Sequence, residues 1–330
     1  MKKKSETLIP VPRREIKYTK QNPLSKILRD FDNLSIDTPF LSQSGIYLNT
    51  NELGASTSYR KLGLFPPIYQ PLHFGFSGLH NFDIIAKRQS SRAVICDINP
   101  ENALFISYVL KALTRCKDRL SFIENITQYM KKHCYEGNRT NVQRDPFLNV
   151  VAPKSLKFCL NVSNQYPYNE ECDHYSVFDE MKLELKRETS WLYDESRFNH
   201  LRRLALEDKI VLITESICEP NTFLALCKVL KDNMEQIDTL YLSNIAQWMH
   251  QQSDRDAFLK TVKILLSDQN TIIIDAIVNE NGNENENENG KEQVLATQRC
   301  ISAKEVLTLS IENWFFPSND PQTLDLLDKN

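Results

Sequence analysis

The chain has 330 residues and a formal net charge of −3, and 41% of its residues are hydrophobic. This composition is ordinary for a soluble globular protein, and the balanced charge disfavours a dedicated duplex nucleic-acid binder. No apolar run is long enough to span a membrane, and no apolar core follows the basic start that would make an export signal. The eight dispersed cysteines form no CxxC pair. They predict free thiols in a cytoplasmic protein, with no disulfide framework and no zinc site.

The first 67 residues contain six prolines and few long periodic runs. We predict a flexible tail over residues 1–20 and an N-terminal cap segment of short helices and loops over residues 21–66. Residues 67–330 are then expected to form one α/β domain.

A strand–helix–strand–helix pattern opens this domain. The run Pro71–Gly78 predicts a strand that ends in a glycine-bearing turn, and residues 79–88 have the apolar spacing of a helix. Arg92–Asp97 predicts a second, buried strand. Asn99 and Pro100 are residue types favoured at a helix start, so a second helix is expected there. Such a unit implies a parallel sheet.

Residues 116–208 interrupt the alternation, and we predict a large, mainly helical insertion there. Residues 119–124 fit either a strand or part of a helix, and residues 158–162 fit a strand. Residues 180–206 have a charged face and predict a helix.

The alternation then resumes with apolar, β-branched strands of the kind that a sheet buries on both faces. An Asn/Glu/Gly tract at residues 279–290 predicts a disordered loop, and strand character returns at 292–297. Residues 304–314 fit a last helix or a pair of strands. The predicted class is α/β, with a doubly wound, mostly parallel sheet. Its remaining predicted elements are strands at 209–215, 237–244 and 271–278 and helices at 220–233 and around 257–266.

The first strand–helix–strand unit contains the main candidate ligand site. Gly75 and Gly78 would let the backbone approach a ligand closely, and Asp97 ends the next strand. An acid about 20 residues after such a turn can accept hydrogen bonds from both ribose hydroxyls. The alternative is that the glycines only form a tight turn and Asp97 caps the following helix. The turn lacks the GxGxxG pattern, so a pyrophosphate cradle is not indicated.

Three segments resemble class I S-adenosylmethionine-dependent methyltransferases: Gly75-Phe-Ser-Gly78, Val94-Ile-Cys-Asp-Ile-Asn-Pro100 and Leu240-Tyr-Leu-Ser-Asn-Ile245. The resemblance implies a Rossmann-like fold with S-adenosylmethionine as cofactor. It places Gly75, Ser77 and Gly78 against the methionine part of the cofactor and Asp97 on the ribose.

The same resemblance implies two further positions. A polar residue after the third strand reaches the adenine; Glu215 is the candidate, or Glu124 if residues 119–124 form that strand. The fourth strand ends beside the transferring methyl group, which makes Ser243 and Asn244 the candidate catalytic residues. The second and third of these segments also resemble aminocarboxypropyl transferases, which cleave the same cofactor differently.

The predicted function is therefore an S-adenosylmethionine-dependent transferase, and specifically a methyltransferase for an unidentified acceptor. A Rossmann-like interaction or regulatory protein without catalysis is the first alternative, favoured by the reduced glycine loop and the long insertion. A nicotinamide-dependent oxidoreductase is the second, and the missing third glycine disfavours it. A small-molecule cofactor is the expected partner. No metal site, membrane span or strong nucleic-acid signal is predicted.

Overall fold

The computed structural model describes residues 24–31, 52, 54–66, 68–134, 182–266, 268–278 and 296–317. The predicted tail at residues 1–20, strand at 158–162 and loop at 279–290 lie outside these ranges. Within them, no helix combines the length and apolar character needed to cross a membrane.

A six-stranded sheet in the order β3-β2-β1-β4-β5-β6 forms the centre of the protein. The first five strands in the chain pair in parallel, and β6 pairs antiparallel with β5. The predicted α/β class and the mostly parallel sheet are thus confirmed. The strands are β1 (Pro71–Phe76), β2 (Arg92–Asp97), β3 (Ile210–Thr214), β4 (Gln236–Ser243), β5 (Ile272–Val278) and β6 (Ala296–Ser302).

Helices connect and flank these strands. A short 3₁₀ helix, Ile245–Trp248, follows β4. The α-helices are α1 (Leu24–Arg29), α2 (Ala55–Leu62), α3 (His80–Arg88), α4 (Pro100–Arg115), α5 (Arg119–Cys134), α6 (Glu195–Leu206), α7 (Pro220–Asp232), α8 (Gln252–Leu265), α9 (Ala303–Leu309) and α10 (Ile311–Phe315).

Helices cover both faces of the sheet because its strands are apolar on both faces. Val94 and Cys96 of β2 pack in a cluster with α1, α7, α8, α9 and α10. The alternate residues Ala93 and Ile95 pack on the other face with α3, α4, α5 and α6. This two-residue alternation is the natural consequence of strand geometry.

The order of the strands indicates where on the sheet a ligand is expected to bind. The chain moves from β1 outward to β2 and β3, and then returns to the other side of β1 to form β4 and β5. The order therefore reverses between β1 and β4. Because parallel strands share one direction, the carboxyl ends of β1 to β5 meet at a single edge, which we call the carboxyl edge. Ligands of open α/β sheets bind at such an edge, beside the reversal.

The region predicted as an insertion differs from expectation in two places. Residues 119–124 belong to α5, so the strand alternative is wrong. The helix predicted over 180–206 is continuous only in α6, Glu195–Leu206, because Asp194 has an extended backbone and starts a new helix. Its side chain accepts a hydrogen bond from the Arg197 amide at 2.9 Å, which is the bond of an N-cap.

The described flanks of this region contribute to the core. Trp191 packs against Phe82 of α3 with ring centroids 5.3 Å apart, and against Phe122 of α5 at 5.1 Å. On the opposite face, Leu28 of α1 is fully buried. Segments outside the strand–helix alternation therefore complete both hydrophobic layers.

The structure also decides between the two alternatives predicted for residues 304–314. Residues 304–314, predicted as a helix or a strand pair, form parts of α9 and α10. Ser302 and Glu305 form a capping box at the start of α9, which fixes where β6 ends and the helix begins. The predicted helix start at Pro100 is confirmed, and the Asn99 carbonyl accepts the Ala103 amide at 3.1 Å.

Candidate functional site

The turn after β1 is shaped by one asparagine. Asn81 is fully buried in α3, and its Nδ2 donates to the carbonyl oxygens of Phe76 at 2.9 Å, Ser77 at 3.3 Å and Gly78 at 2.7 Å. The carbonyl groups of the turn therefore point inward. Ser77, and neither glycine of the turn, adopts the left-handed conformation, with φ of 70°.

Gly75 makes room for a buried polar pair. The Asn81 Oδ1 lies 2.9 Å from His73 Nε2, and His73 Nδ1 lies 2.8 Å from Thr239 Oγ1. A Cβ at Gly75 would stand 1.8 Å from Asn81 Oδ1 and 2.6 Å from His73 Nε2. Burial lowers the pKa of His73 to about 4, so this ring is neutral at pH 7. Because Gly75 has no side chain, Asn81 and His73 can occupy the space beside it, so this glycine serves internal packing.

The start of α3 presents backbone donors. In the described part of the chain, the amides of Gly78, Leu79 and His80 find no hydrogen-bond acceptor, and no side chain caps the helix. All three residues are buried. Helix-end amides without an acceptor and the helix dipole together favour an anion, such as a carboxylate, at this position.

Asp97 is the last residue of β2, at the same edge, and is 7% exposed. Its Oδ1 accepts the Asn99 amide at 2.9 Å, and its Oδ2 accepts a short bond from the Asn102 side chain. These are the helix-capping contacts of the alternative interpretation. A carboxylate can accept about four hydrogen bonds, so they do not prevent a ligand from adding others. Burial raises the pKa of Asp97 to about 6, although its hydrogen bonds oppose that shift.

The raised pKa predicts how stability depends on pH. The folded value of about 6 lies above the ordinary 3.8, so the folded protein favours the protonated carboxyl. The resulting stabilisation is complete below about pH 4 and is lost as the pH rises through about 6. We expect the unfolding free energy of Asp97→Asn, relative to wild type, to increase between pH 4 and pH 7 in denaturant titrations without ligand. A difference that stays constant over this range would contradict the assignment.

Glu215 follows β3 and lies directly beside Asp97. Its amide donates to the Asp97 carbonyl at 3.1 Å, and its carboxylate accepts bonds from the Ser216 amide at 2.8 Å and the Thr222 hydroxyl at 3.1 Å. The rival candidate, Glu124, is exposed on α5. Because residues 119–124 form no strand, the condition for choosing Glu124 is not met.

A buried carboxylate that the sequence did not single out meets the end of β4. Glu52 is 6% exposed and accepts hydrogen bonds from the Tyr241 hydroxyl at 3.1 and 3.2 Å and from Gln298 Nε2 at 2.6 Å. The Ser243 hydroxyl adds a short third bond. We call these four residues the Glu52 cluster. Glu52 was included in the predicted cap, and nothing in its local sequence marks it.

Ser243 and Asn244 lie at the same edge. Ser243 has a left-handed backbone with φ of 53°, and its hydroxyl also lies 3.4 Å from Asn244 Oδ1. Asn244 is partly exposed, and its Nδ2 lies 3.4 Å from Gln247 Oε1. Left-handed serines therefore lie at the carboxyl ends of both β1 and β4, the strands that flank the order reversal. Backbone strain of this kind concentrates at functional sites.

A second buried network adjoins the Glu52 cluster. His80 Nδ1 lies 3.0 Å from Asp83 Oδ2, and Arg187 lies 3.2 Å from the same oxygen. Burial acts to raise the pKa of Asp83, but Arg187 and His80 outweigh it and hold that pKa below its usual value. The His80 ring meets the Tyr241 ring edge-on at 5.2 Å between centroids, so the start of α3 touches the Glu52 cluster.

The structure thus gathers most of the predicted site residues at one edge. Gly78 and Glu215 follow β1 and β3, and Asp97 and Ser243 are the last residues of β2 and β4. Gly75 lies within β1, as its second-last residue. Among the described residues, no group of three or more histidine, cysteine or acidic side chains could hold a metal ion.

These features define an α/β protein with a polar site at the carboxyl edge of a mostly parallel sheet. Residues 47–314, which are most of the chain, match the family described as Domain of unknown function (DUF7790), and the chain belongs to that family. No curated protein matches this chain. The matched range includes Glu52 and all six strands.

Proposed function

We propose that this protein is an S-adenosylmethionine-dependent transferase, and specifically a methyltransferase that acts on an unidentified acceptor. One observation supports this most: two complementary binding groups lie after adjacent parallel strands. The amides at the start of α3 suit a carboxylate, and the Asp97 carboxylate suits a ribose diol. An amino-acid nucleoside has both of these ends in a single molecule.

The residues present fit such a cofactor. The amides of Gly78, Leu79 and His80 would hold its carboxylate, and Asp97 would hold its ribose hydroxyls. Glu215, bonded through its backbone to Asp97, would lie on the side of the nucleobase. When bound, S-adenosylmethionine supplies a methyl group already activated by a sulfonium.

The resemblance and the topology support the same proposal. The three resembling segments fall at the ends of β1, β2 and β4, around the reversal of strand order. A Rossmann-like, doubly wound fold with binding at this reversal is therefore part of the proposal. The cytoplasmic location stays a prediction from the sequence.

The proposed catalytic work is mainly alignment. Because the methyl group is already activated, the protein has to hold nucleophile, carbon and sulfur in line. Ser243 and Asn244 present a hydroxyl and an amide at the end of β4 that could orient an acceptor. A general base is needed only for an acceptor that must lose a proton.

A non-catalytic interaction protein is the second candidate, and two observations favour it. Asp97 already bonds Asn99 and Asn102, and Gly75 is used for internal packing. This candidate differs from the first in one expectation, which is that the carboxyl edge binds no S-adenosylmethionine.

Asp97 gives the experiment that tests the proposed function. We expect Asp97→Ala to weaken S-adenosylmethionine binding at least about tenfold, because it removes charge-assisted hydrogen bonds to ribose. Wild-type affinity should also rise about tenfold between pH 5 and pH 7, since the ribose hydroxyls donate to the ionised carboxylate. Calorimetric titration measures both effects.

A matched control uses an acid at the opposite edge of the sheet. Glu207 precedes β3 and pairs with Lys209 at the surface. We expect Glu207→Ala to bind the cofactor as wild type does. Unchanged affinity in Asp97→Ala, with the fold intact, would contradict the role of Asp97.

A further inference from the structure

A buried amide side chain lies directly against the Asp97 carboxylate. Asn102 is the third residue of α4, and it is fully buried. Burying an amide costs free energy unless the amide is hydrogen-bonded, and asparagine is a poor helix former. The Nδ2 of Asn102 donates a short bond to Asp97 Oδ2. This bond accounts for a polar residue at a position where helix propensity and burial both disfavour one.

Two donors fix the direction of the Asp97 carboxylate, one on each oxygen. The Asn99 amide donates to Oδ1 at 2.9 Å, and Asn102 donates to Oδ2. An ionised carboxylate only accepts, so the amide nitrogen of Asn102, and not its oxygen, must face it. Since the Asn99 donor belongs to the main chain, Asn102 is the side chain through which the sequence sets the orientation of this carboxylate.

The same bond favours the ionised form of Asp97. Burial raises the pKa of Asp97 to about 6, and the hydrogen bond from Asn102 is the largest of the contributions that oppose this rise. The amides of Asn99 and Ile98 make smaller ones. Without Asn102, burial would therefore keep the carboxyl protonated to a higher pH. A protonated carboxyl presents a donor where the ionised group presents only acceptors.

The titratable groups around Asp97 are turned to other partners. Glu215, after the neighbouring β3, directs its carboxylate to the Ser216 amide and the Thr222 hydroxyl. On the β1 side, His80 is bonded within its own helix. Among the residues that the structure describes, no ion pair involves Asp97. Burial and hydrogen bonds, rather than neighbouring charges, therefore decide how this carboxyl ionises.

We infer that Asn102 is the positioning residue of the proposed ribose site: its amide holds the Asp97 carboxylate in the direction and in the ionised form that accept the two hydroxyls of a vicinal diol at neutral pH. The inference rests on the proposed function for its ligand, and it assigns a role to a residue that neither the sequence nor the resemblance indicated. It also gives the helix-capping contacts of Asp97 a second role, as support for a ligand-binding group.

The pH dependence of ligand binding tests this inference. S-adenosylhomocysteine is the probe, because it has the same ribose and lacks the reactive sulfonium. Asn102→Leu removes the donor and keeps a side chain of similar size. We expect the midpoint of affinity against pH, measured by calorimetric titration, to rise by about one pH unit, because the carboxylate loses a charge-assisted bond. The variant should bind about fivefold more weakly than wild type at pH 6 and within about twofold of it at pH 8.5.

A second measurement needs no ligand. The effect of Asp97→Asn on the free energy of unfolding changes with pH as Asp97 ionises. We expect the midpoint of that change to rise by about one pH unit when Asn102→Leu is present in both proteins. Asn102→Ala takes the place of Asn102→Leu in both measurements if the leucine variant does not fold.

Asn233 provides the matched control. It follows α7 and precedes β4, at the opposite edge of the sheet, and its Nδ2 donates to the Val229 carbonyl at 2.8 Å. We expect Asn233→Leu to leave both midpoints at their wild-type values, because its amide has no part in the Asp97 site.

The contradicting results differ from one another. An equal loss of affinity at every pH would show that Asn102 supports only the local structure. Midpoints that stay at their wild-type values in Asn102→Leu would show that Asn102 does not control Asp97. If wild type binds no S-adenosylhomocysteine, the proposed function fails and the ribose role of Asn102 fails with it. A midpoint that shifts without ligand would then still show that the bond between the two side chains forms.

Discussion

Replacing Gly75 with alanine is expected to lower the free energy of unfolding by more than about 3 kcal/mol, at or beyond the upper end of overpacking effects. The new Cβ would stand 1.8 Å from Asn81 Oδ1, a distance that no real contact reaches. Asn81 cannot move aside easily, because its amide holds three carbonyl groups of the turn and its oxygen meets His73. Chemical denaturation measures the loss.

Gly63 offers the matched control for this substitution. Its backbone is helical, with φ of −73°, and the nearest atoms to a new Cβ are the Arg60 carbonyl oxygen and the flexible end of Lys87, both at 3.3 Å. We expect Gly63→Ala to change stability by less than about 1 kcal/mol. Combining Gly75→Ala with Asn81→Ala should recover part of the loss. A Gly75→Ala protein as stable as Gly63→Ala would contradict the geometry of this turn.

Loss of Arg88 is expected to have the second largest effect. Its guanidinium pairs with both oxygens of Asp238 at 2.7 and 2.8 Å, and the two side chains are only 6% and 1% exposed. It also donates to the carbonyl groups of Leu62, Phe65 and Pro66. Arg88→Met would leave a buried carboxylate without its partner, which costs about 3–5 kcal/mol.

Two comparisons make this prediction specific. The ion pair between Lys209 and Glu207 is exposed, so Lys209→Met should cost less than about 1 kcal/mol. Adding Asp238→Leu to Arg88→Met removes the stranded charge and should restore much of the lost stability. Urea unfolding of the single and double variants gives the coupling energy. A cost for Arg88→Met as small as that for Lys209→Met would contradict the structure.

The strands and their shared edge could be predicted from the sequence because local apolar patterns encode them. The run Thr271–Val278 is rich in β-branched residues, and it forms β5 with only one residue of difference. Asp97 and Ser243 each end such a run, so parallel pairing alone brings them to one edge. Pro100 marked a helix start that the structure confirms.

The contacts that hold this edge together could not be predicted, because they join distant residues without a local pattern. Glu52 bonds Gln298, 246 residues away in the chain, and Arg88 bonds Asp238, 150 residues away. Asn81 lies in a helical pattern, and nothing in the sequence indicates that its side chain bonds the carbonyl groups of the preceding turn. Even the turn itself differs from expectation, since Ser77 takes the conformation usually left to glycine.

The central claim is that the carboxyl edge binds S-adenosylmethionine, and one calorimetric experiment tests it most directly. Wild-type protein is titrated separately with S-adenosylmethionine, S-adenosylhomocysteine and NAD. We predict saturable, micromolar binding of the first two and no binding of NAD, since the turn lacks a pyrophosphate cradle. Absence of binding by S-adenosylmethionine and S-adenosylhomocysteine would contradict the account and favour a protein that acts through interaction alone.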